Sequence, residues 1–155
     1  MTTSTVSTAI EREIHVERVF AAPRSRVWAA FTKPDLLAQW WARGNDMHIE
    51  RWEFERGGHW RFVERADGDT FGFEGRFREI SPEDRLSYTF EWDGQPGHVL
   101  VETNTFVDLG DETTKLVVVS QFLTQEERDG MLSSGMESGM NESYAALDAL
   151  LARQW

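Results

Sequence analysis

No cysteine occurs in the 155-residue chain, so disulfide staples and thiolate metal sites are excluded. A chain without cysteine is compatible with a reducing cytoplasm, the location expected here. No apolar run approaches the roughly 20 residues that a membrane helix needs, which excludes a spanning segment of that kind. The N-terminal "MTTSTVSTAI" lacks both a basic region and an apolar stretch, so it does not read as a signal peptide. Basic runs are missing too. Lys and Arg number 16 against 27 Asp and Glu, for a net charge of −11. Phosphate backbones and anionic membrane surfaces repel such a chain, and neither nucleic acid nor membrane is expected as a partner. The four histidines, His15, His48, His59 and His98, are scattered without metal-ligand spacing, and "DGD" at 67–69 is too short for a calcium loop. There is no phosphate-binding glycine loop and no G-x-S-x-G elbow. No metal and no cofactor are expected.

What the chain does have is aromatic bulk: seven Trp, ten Phe and two Tyr, most of them between residues 28 and 106. Their spacing is regular. Residues 10–20 alternate, with Ile10, Arg12, Ile14, Val16, Arg18 and Phe20 on one parity, the period of a strand with one buried face. "APRSRVWAAF" follows as a helix, with Pro23 at its start and Val27, Trp28 and Phe31 inward. A second short helix begins near Pro34, carries Leu36, Leu37, Trp40 and Trp41, and stops near Gly44.

Six strands in hairpins are expected next. Trp52 and Phe54 share a parity before Gly57–Gly58; Trp60 and Phe62 share one after it; Asp67–Gly68 marks a tight turn. Phe71, Phe73 and Phe77 alternate against charged residues, and Leu86, Tyr88, Phe90 and Trp92 do so without a break. Residues 98–108 and 114–122 are the last two strands. Thr124 and Glu127 form a capping box for one long terminal helix, on which Leu132, Met136, Met140, Tyr144, Leu147 and Leu151 recur at steps of three or four. Gly135, Gly139, Ser143 and Ala146 make a small-residue stripe beside them, suited to close approach of helix and sheet. Residues 1–9 read as a disordered Ser/Thr tail and 10–155 as one domain. The class is α+β: an antiparallel sheet with helices on one face.

That order, with "ERVFAAPRSRVWAAFTKPDLLAQWW" at 17–41, "RGGHWRF" at 56–62 and "GMESGMNESYAALDALL" at 135–151, resembles the START/SRPBCC superfamily. Within it the chain looks like the branch named after the activator of the ninety-kilodalton heat-shock chaperone ATPase, over about residues 10–152. The resemblance implies a helix-grip fold, in which a curved sheet wraps a long C-terminal helix with a cavity between them. Members of the superfamily often hold apolar or amphipathic small molecules there, and some are cyclases or aromatases. The eukaryotic co-chaperone carries an extra N-terminal domain for which this chain has no room, so a chaperone partner is not expected. A homodimer is left open.

The expected cavity wall is Trp52, Phe54, Trp60, Phe62, Phe71, Phe73, Tyr88, Phe90 and Trp92 from the sheet, with Met136, Met140 and Tyr144 from the helix. Of the adjacent Trp40 and Trp41, whose side chains on a helix point about 100° apart, one is expected to pack into the core and the other to gate the cavity mouth. Arg18 falls on the apolar parity, where a buried charge needs a partner; Glu50 and Glu64 share the parity of the neighbouring aromatics and are the expected acids. Three functions follow: binding of an apolar or amphipathic small molecule, cyclase or hydrolase chemistry through Arg18, Glu50 or Glu64, and a chaperone-linked interaction module. The first is expected, because the lining is apolar and no catalytic set is recognisable.

Overall fold

The computed structural model describes residues 4–8 and 10–155. Alternation from Ile14 to Phe20 produces strand β2 (Glu13–Phe20), with Ile14, Val16, Arg18 and Phe20 buried. Part of the expected disordered tail is a strand instead: β1 (Thr5–Ser7) pairs antiparallel with β2, Val6 opposite Val16. Ile10 is not in a strand. It lies in a turn, 53% exposed, where its carbonyl accepts from the Glu13 N–H and from Arg128 Nη1. Arg128 Nη1 also reaches the carbonyls of Thr8 and Glu13, so one buried guanidinium clamps the whole N-terminal turn.

Pro23 caps helix α1 (Arg24–Thr32), and Pro34 opens the single turn α2 (Pro34–Leu37). The chain then reaches the far edge of the sheet and returns by hairpins: β3 (Asp46–Trp52), β4 (His59–Ala66), β5 (Asp69–Ser81), β6 (Arg85–Trp92), β7 (Leu100–Gly110) and β8 (Thr113–Gln121). The eight strands lie in the order β1-β2-β8-β7-β6-β5-β4-β3, and every pair is antiparallel. Register shifts at Ile49/Arg51 in the β3–β4 pair, at Phe77/Glu79 in the β5–β6 pair and at Asp108/Gly110 in the β7–β8 pair add bends that curve the sheet. Gly75 sits where strands crowd: a Cβ there would lie 1.8 Å from the Thr89 carbonyl oxygen and 2.7 Å from Trp60 Nε1.

The terminal helix is two helices. Thr124 Oγ1 accepts the Glu127 N–H at 3.1 Å and starts α3 (Gln125–Ser133), as the capping box predicts. Gly135, at φ +83°, then redirects the chain into α4 (Met136–Leu151). The break falls at the residue that can adopt the left-handed conformation without a Cβ clash. The expected close approach at Gly139 does not occur, since a Cβ there would meet nothing within 4 Å.

The interior has a solid end and an open end. Leu147, Leu150 and Leu151 of α4 are buried in one apolar cluster with Val27 and Phe31 of α1 and Phe20, Phe106 and Leu116 of the sheet. Burying each side chain of this kind is worth about 1.5–3 kcal/mol. Met136 and Met140, about three and two turns before Leu147, are only half-buried. Among the described residues, no helix is long and apolar enough to cross a membrane.

A candidate ligand cavity between sheet and helix

A cavity of about 1380 Å³ opens between the concave sheet face and the N-terminal half of α4. Ligand pockets run to roughly 300–1,000 Å³, so this one has room for a sizeable organic molecule. Its wall includes Trp52, Trp60, Phe62, Phe71, Phe73, Tyr88, Phe90 and Trp92 from the sheet and Met136, Met140 and Tyr144 from α4. Trp92 stands at the edge, 38% exposed.

Phe54 is not on that wall. It stacks on Trp52 at 5.7 Å and meets Phe77 edge-on at 5.1 Å. Arg18 is not there either. Its side chain is inward and buried, but Nη2 pairs at 2.7 Å with Asp148 of α4, and the guanidinium lies 5.5–5.6 Å from the Phe20 and Tyr144 rings. The partner is therefore neither Glu50 nor Glu64. Glu50 lies outside the cavity because the bulge between Ile49 and Arg51 breaks the parity it shared with Trp52; it pairs with Arg61 at 2.9 Å. Glu64 does reach the cavity. It is buried, accepting from Arg43 Nη2 at 3.0 Å and from Asn45 Nδ2 at 2.8 Å.

The short helix expected to carry the adjacent tryptophans ends at Leu37, and Trp40 and Trp41 lie in the turns that follow it, where their side chains still diverge. Trp40 is buried, its Nε1–H donates to the Ala30 carbonyl at 2.9 Å, and its ring packs on Phe31. Trp41 is half-buried and lines the cavity, with Phe62, Phe73 and Phe90 at 5.1–6.4 Å. The Trp41 carbonyl accepts from Ser143 Oγ at 2.9 Å, which ties this segment to α4. Both rings touch the cavity, Trp40 from the buried core and Trp41 as the bridge between its helical side and the sheet.

Sequence reasoning passed over a polar group on the same wall. Tyr88 Oη donates to Glu102 Oε2 at 2.6 Å, Ser120 Oγ donates to Oε1 at 3.2 Å, and Asn104 Nδ2 reaches both Tyr88 Oη and the Leu86 carbonyl at 3.4 Å. All four residues line the cavity. Glu102 is half-buried on the cavity wall, and desolvation there raises its pKa against the lowering effect of the Tyr88 and Ser120 hydrogen bonds. Burial first, then the Glu102 charge, pushes the Tyr88 phenol well up; the same two causes raise Tyr144. A signal existed in the sequence: Glu102 and Asn104 share parity with Leu100 and Phe106, and Ser120 with Leu116 and Val118, so each interrupts an apolar face. Among the described residues, no group of three or more His, Asp or Glu is placed to hold a metal ion.

Residues 21–152 match the family model described as Activator of Hsp90 ATPase homolog 1-like protein. Solved structures share the fold at full length. A Rhodobacter sphaeroides protein is 30% identical, with a TM-score of 0.86 and coverage of 96% of this chain and 97% of its own. A Chromobacterium violaceum protein is 27% identical, with a TM-score of 0.81, covering 94% of this chain and 100% of its own. An Arthrobacter aurescens protein is 26% identical, with a TM-score of 0.86, covering 96% and 91%. No curated protein matches.

Proposed function

The chain belongs to the family of Activator of Hsp90 ATPase homolog 1-like proteins, and on that footing we propose that it binds a hydrophobic or amphipathic small molecule between its sheet and α4. The observation that carries this reading is the 1380 Å³ cavity with its aromatic wall. Aromatic rings supply large apolar contact area, and the few polar groups among them fix a ligand's orientation. The reading includes a cytoplasmic protein that works without metal or cofactor. A cyclase or hydrolase reading is weaker, because Arg18 and Glu50, two of the three residues it relied on, lie off the cavity wall.

Titration with the uncharged dye N-phenyl-1-naphthylamine tests binding. Dye emission should rise and saturate near one equivalent. Dye affinity should fall more in Trp41→Phe, whose ring meets Phe62, Phe73 and Phe90, than in Trp40→Phe, whose ring packs on Phe31. Absence of saturable dye binding to the intact protein would sink the proposal.

A further inference from the structure

The polar end of the cavity has a one-sided hydrogen-bonding character. The donors around Glu102 are committed, the Tyr88 and Ser120 hydroxyls to Glu102 and Asn104 Nδ2 to Tyr88 Oη and the Leu86 carbonyl, whereas the Trp60 Nε1–H, buried against Gly75, has no partner among the described residues. What remains is mostly acceptor capacity. Each Glu102 oxygen has a further lone pair. Asn104, 1% exposed, makes no hydrogen bond through Oδ1 among the described residues. Tyr144 lines the cavity at 7% exposure, and its hydroxyl has no partner among those residues either. A ligand group that satisfies this end must bring hydrogen-bond donors, N–H or O–H.

Charge points the same way. Among the described residues, none of the ion pairs includes Glu102. The basic groups on the cavity wall, Arg43 and His98, face Glu64 and Glu127. The wall's other charged members are Asp67, Asp69, Glu126 and Glu142, all acidic. A cleft lined by one sign of charge concentrates ions of the opposite sign. Tyr88, whose ring meets Trp60 at 5.7 Å, places aromatic surface beside the acid, and ring faces attract cations; the Tyr144 ring already meets the Arg18 guanidinium at 5.6 Å. A lone carboxylate among hydroxyls and rings, without a counter-ion, is a complement to an ammonium group.

The geometry points to an amphipathic amine as the ligand class, its protonated amino group on Glu102 and Asn104 and its apolar body against the aromatic wall. This rests on the cavity-binding reading above and adds the ligand's charge and the residue that selects it. The raised Glu102 pKa is consistent, because the acid has so far found no cation to offset its burial.

Calorimetric titration at pH 7.5 with three matched probes tests the assignment: 2-(1-naphthyl)ethylamine, 2-(1-naphthyl)ethanol and 1-naphthylacetate. The amine should bind about tenfold more tightly than the alcohol, the scale of one charge-assisted hydrogen bond, with the carboxylate weakest. Glu102→Gln should bring the amine's affinity down to about the alcohol's for the same variant, with far-ultraviolet circular dichroism and the thermal midpoint reporting the fold. The assignment fails if alcohol or carboxylate binds the native protein as tightly as the amine, or if the amine's advantage survives in Glu102→Gln. Alcohol binding without amine preference leaves the cavity reading standing and removes only this inference. Lack of binding by all three probes overturns both.

Discussion

Tyr88 and Glu102 are register partners on neighbouring strands, and the phenol donates to the carboxylate at 2.6 Å within the wall of a cavity. Neighbouring strands set the pair directly opposite, with the two side chains on one face. A half-buried acid is thereby held in place by the sheet itself.

The pair makes stability depend on pH in a defined direction. Burial raises the Glu102 pKa above its ordinary 4.5, so the folded chain holds that proton more tightly than the unfolded chain. Its contribution is full below about pH 4.5 and is lost as pH rises through the raised value. Glu102→Gln removes this dependence. Urea unfolding of both proteins from pH 4 to 8 should show the difference moving in favour of the Gln variant as pH rises. A constant difference would contradict the burial argument.

The two tyrosines of the chain, Tyr88 and Tyr144, both have phenols raised above the ordinary 10.0, burial being the first cause in each. The protonated phenol is favoured in the folded state, so this stability is intact below pH 10 and is lost as pH climbs above it. Absorbance at 295 nm should therefore stay flat through pH 10 and rise together with the loss of far-ultraviolet circular dichroism. Tyrosinate absorbance appearing in the folded protein near pH 10 would contradict the buried setting of both rings.

Two glycines four residues apart should respond to alanine with opposite signs. Gly135 holds φ +83° at the break between α3 and α4, so Gly135→Ala should cost about 1–2 kcal/mol. Gly139 is inside α4 with open space at its Cβ, so Gly139→Ala should stabilise by about 0.5–1 kcal/mol. Denaturant midpoints measure both.

Arg18 and Asp148 join β2 to α4 at 2.7 Å, with side-chain exposures of 3% and 35%. Asp148→Ala strands a buried guanidinium and should destabilise by about 3 kcal/mol. Combining it with Arg18→Met removes the stranded charge and should recover most of that loss. A double variant as unstable as the single one would mean that the pair matters through packing instead.

Much of this architecture was legible because period-two patterning reports which face of a strand is buried. The run from Leu86 to Trp92, and Trp60 with Phe62, announced both a strand and its inward side. Three features were not legible, each for a physical reason. β1 has three residues and one apolar side chain, Val6, too short for a pattern to show against a Ser/Thr background. Glu50 was misplaced because a bulge consumes one residue and reverses the parity after it, and a bulge has no reliable residue signature. Arg18 was correctly read as inward, but its partner lies 130 residues away on α4, and strand parity is silent about helix faces. The polar set around Glu102 is a different case. Its inward parity is written in the sequence, but which of these polar residues meet depends on the register of β6, β7 and β8.

Native mass spectrometry of freshly purified protein tests the hollow most directly. The account predicts a species heavier than the bare chain by one small organic molecule, released on collisional activation and displaced by excess 2-(1-naphthyl)ethylamine. A spectrum holding only the bare chain, before and after incubation with that amine, would contradict it.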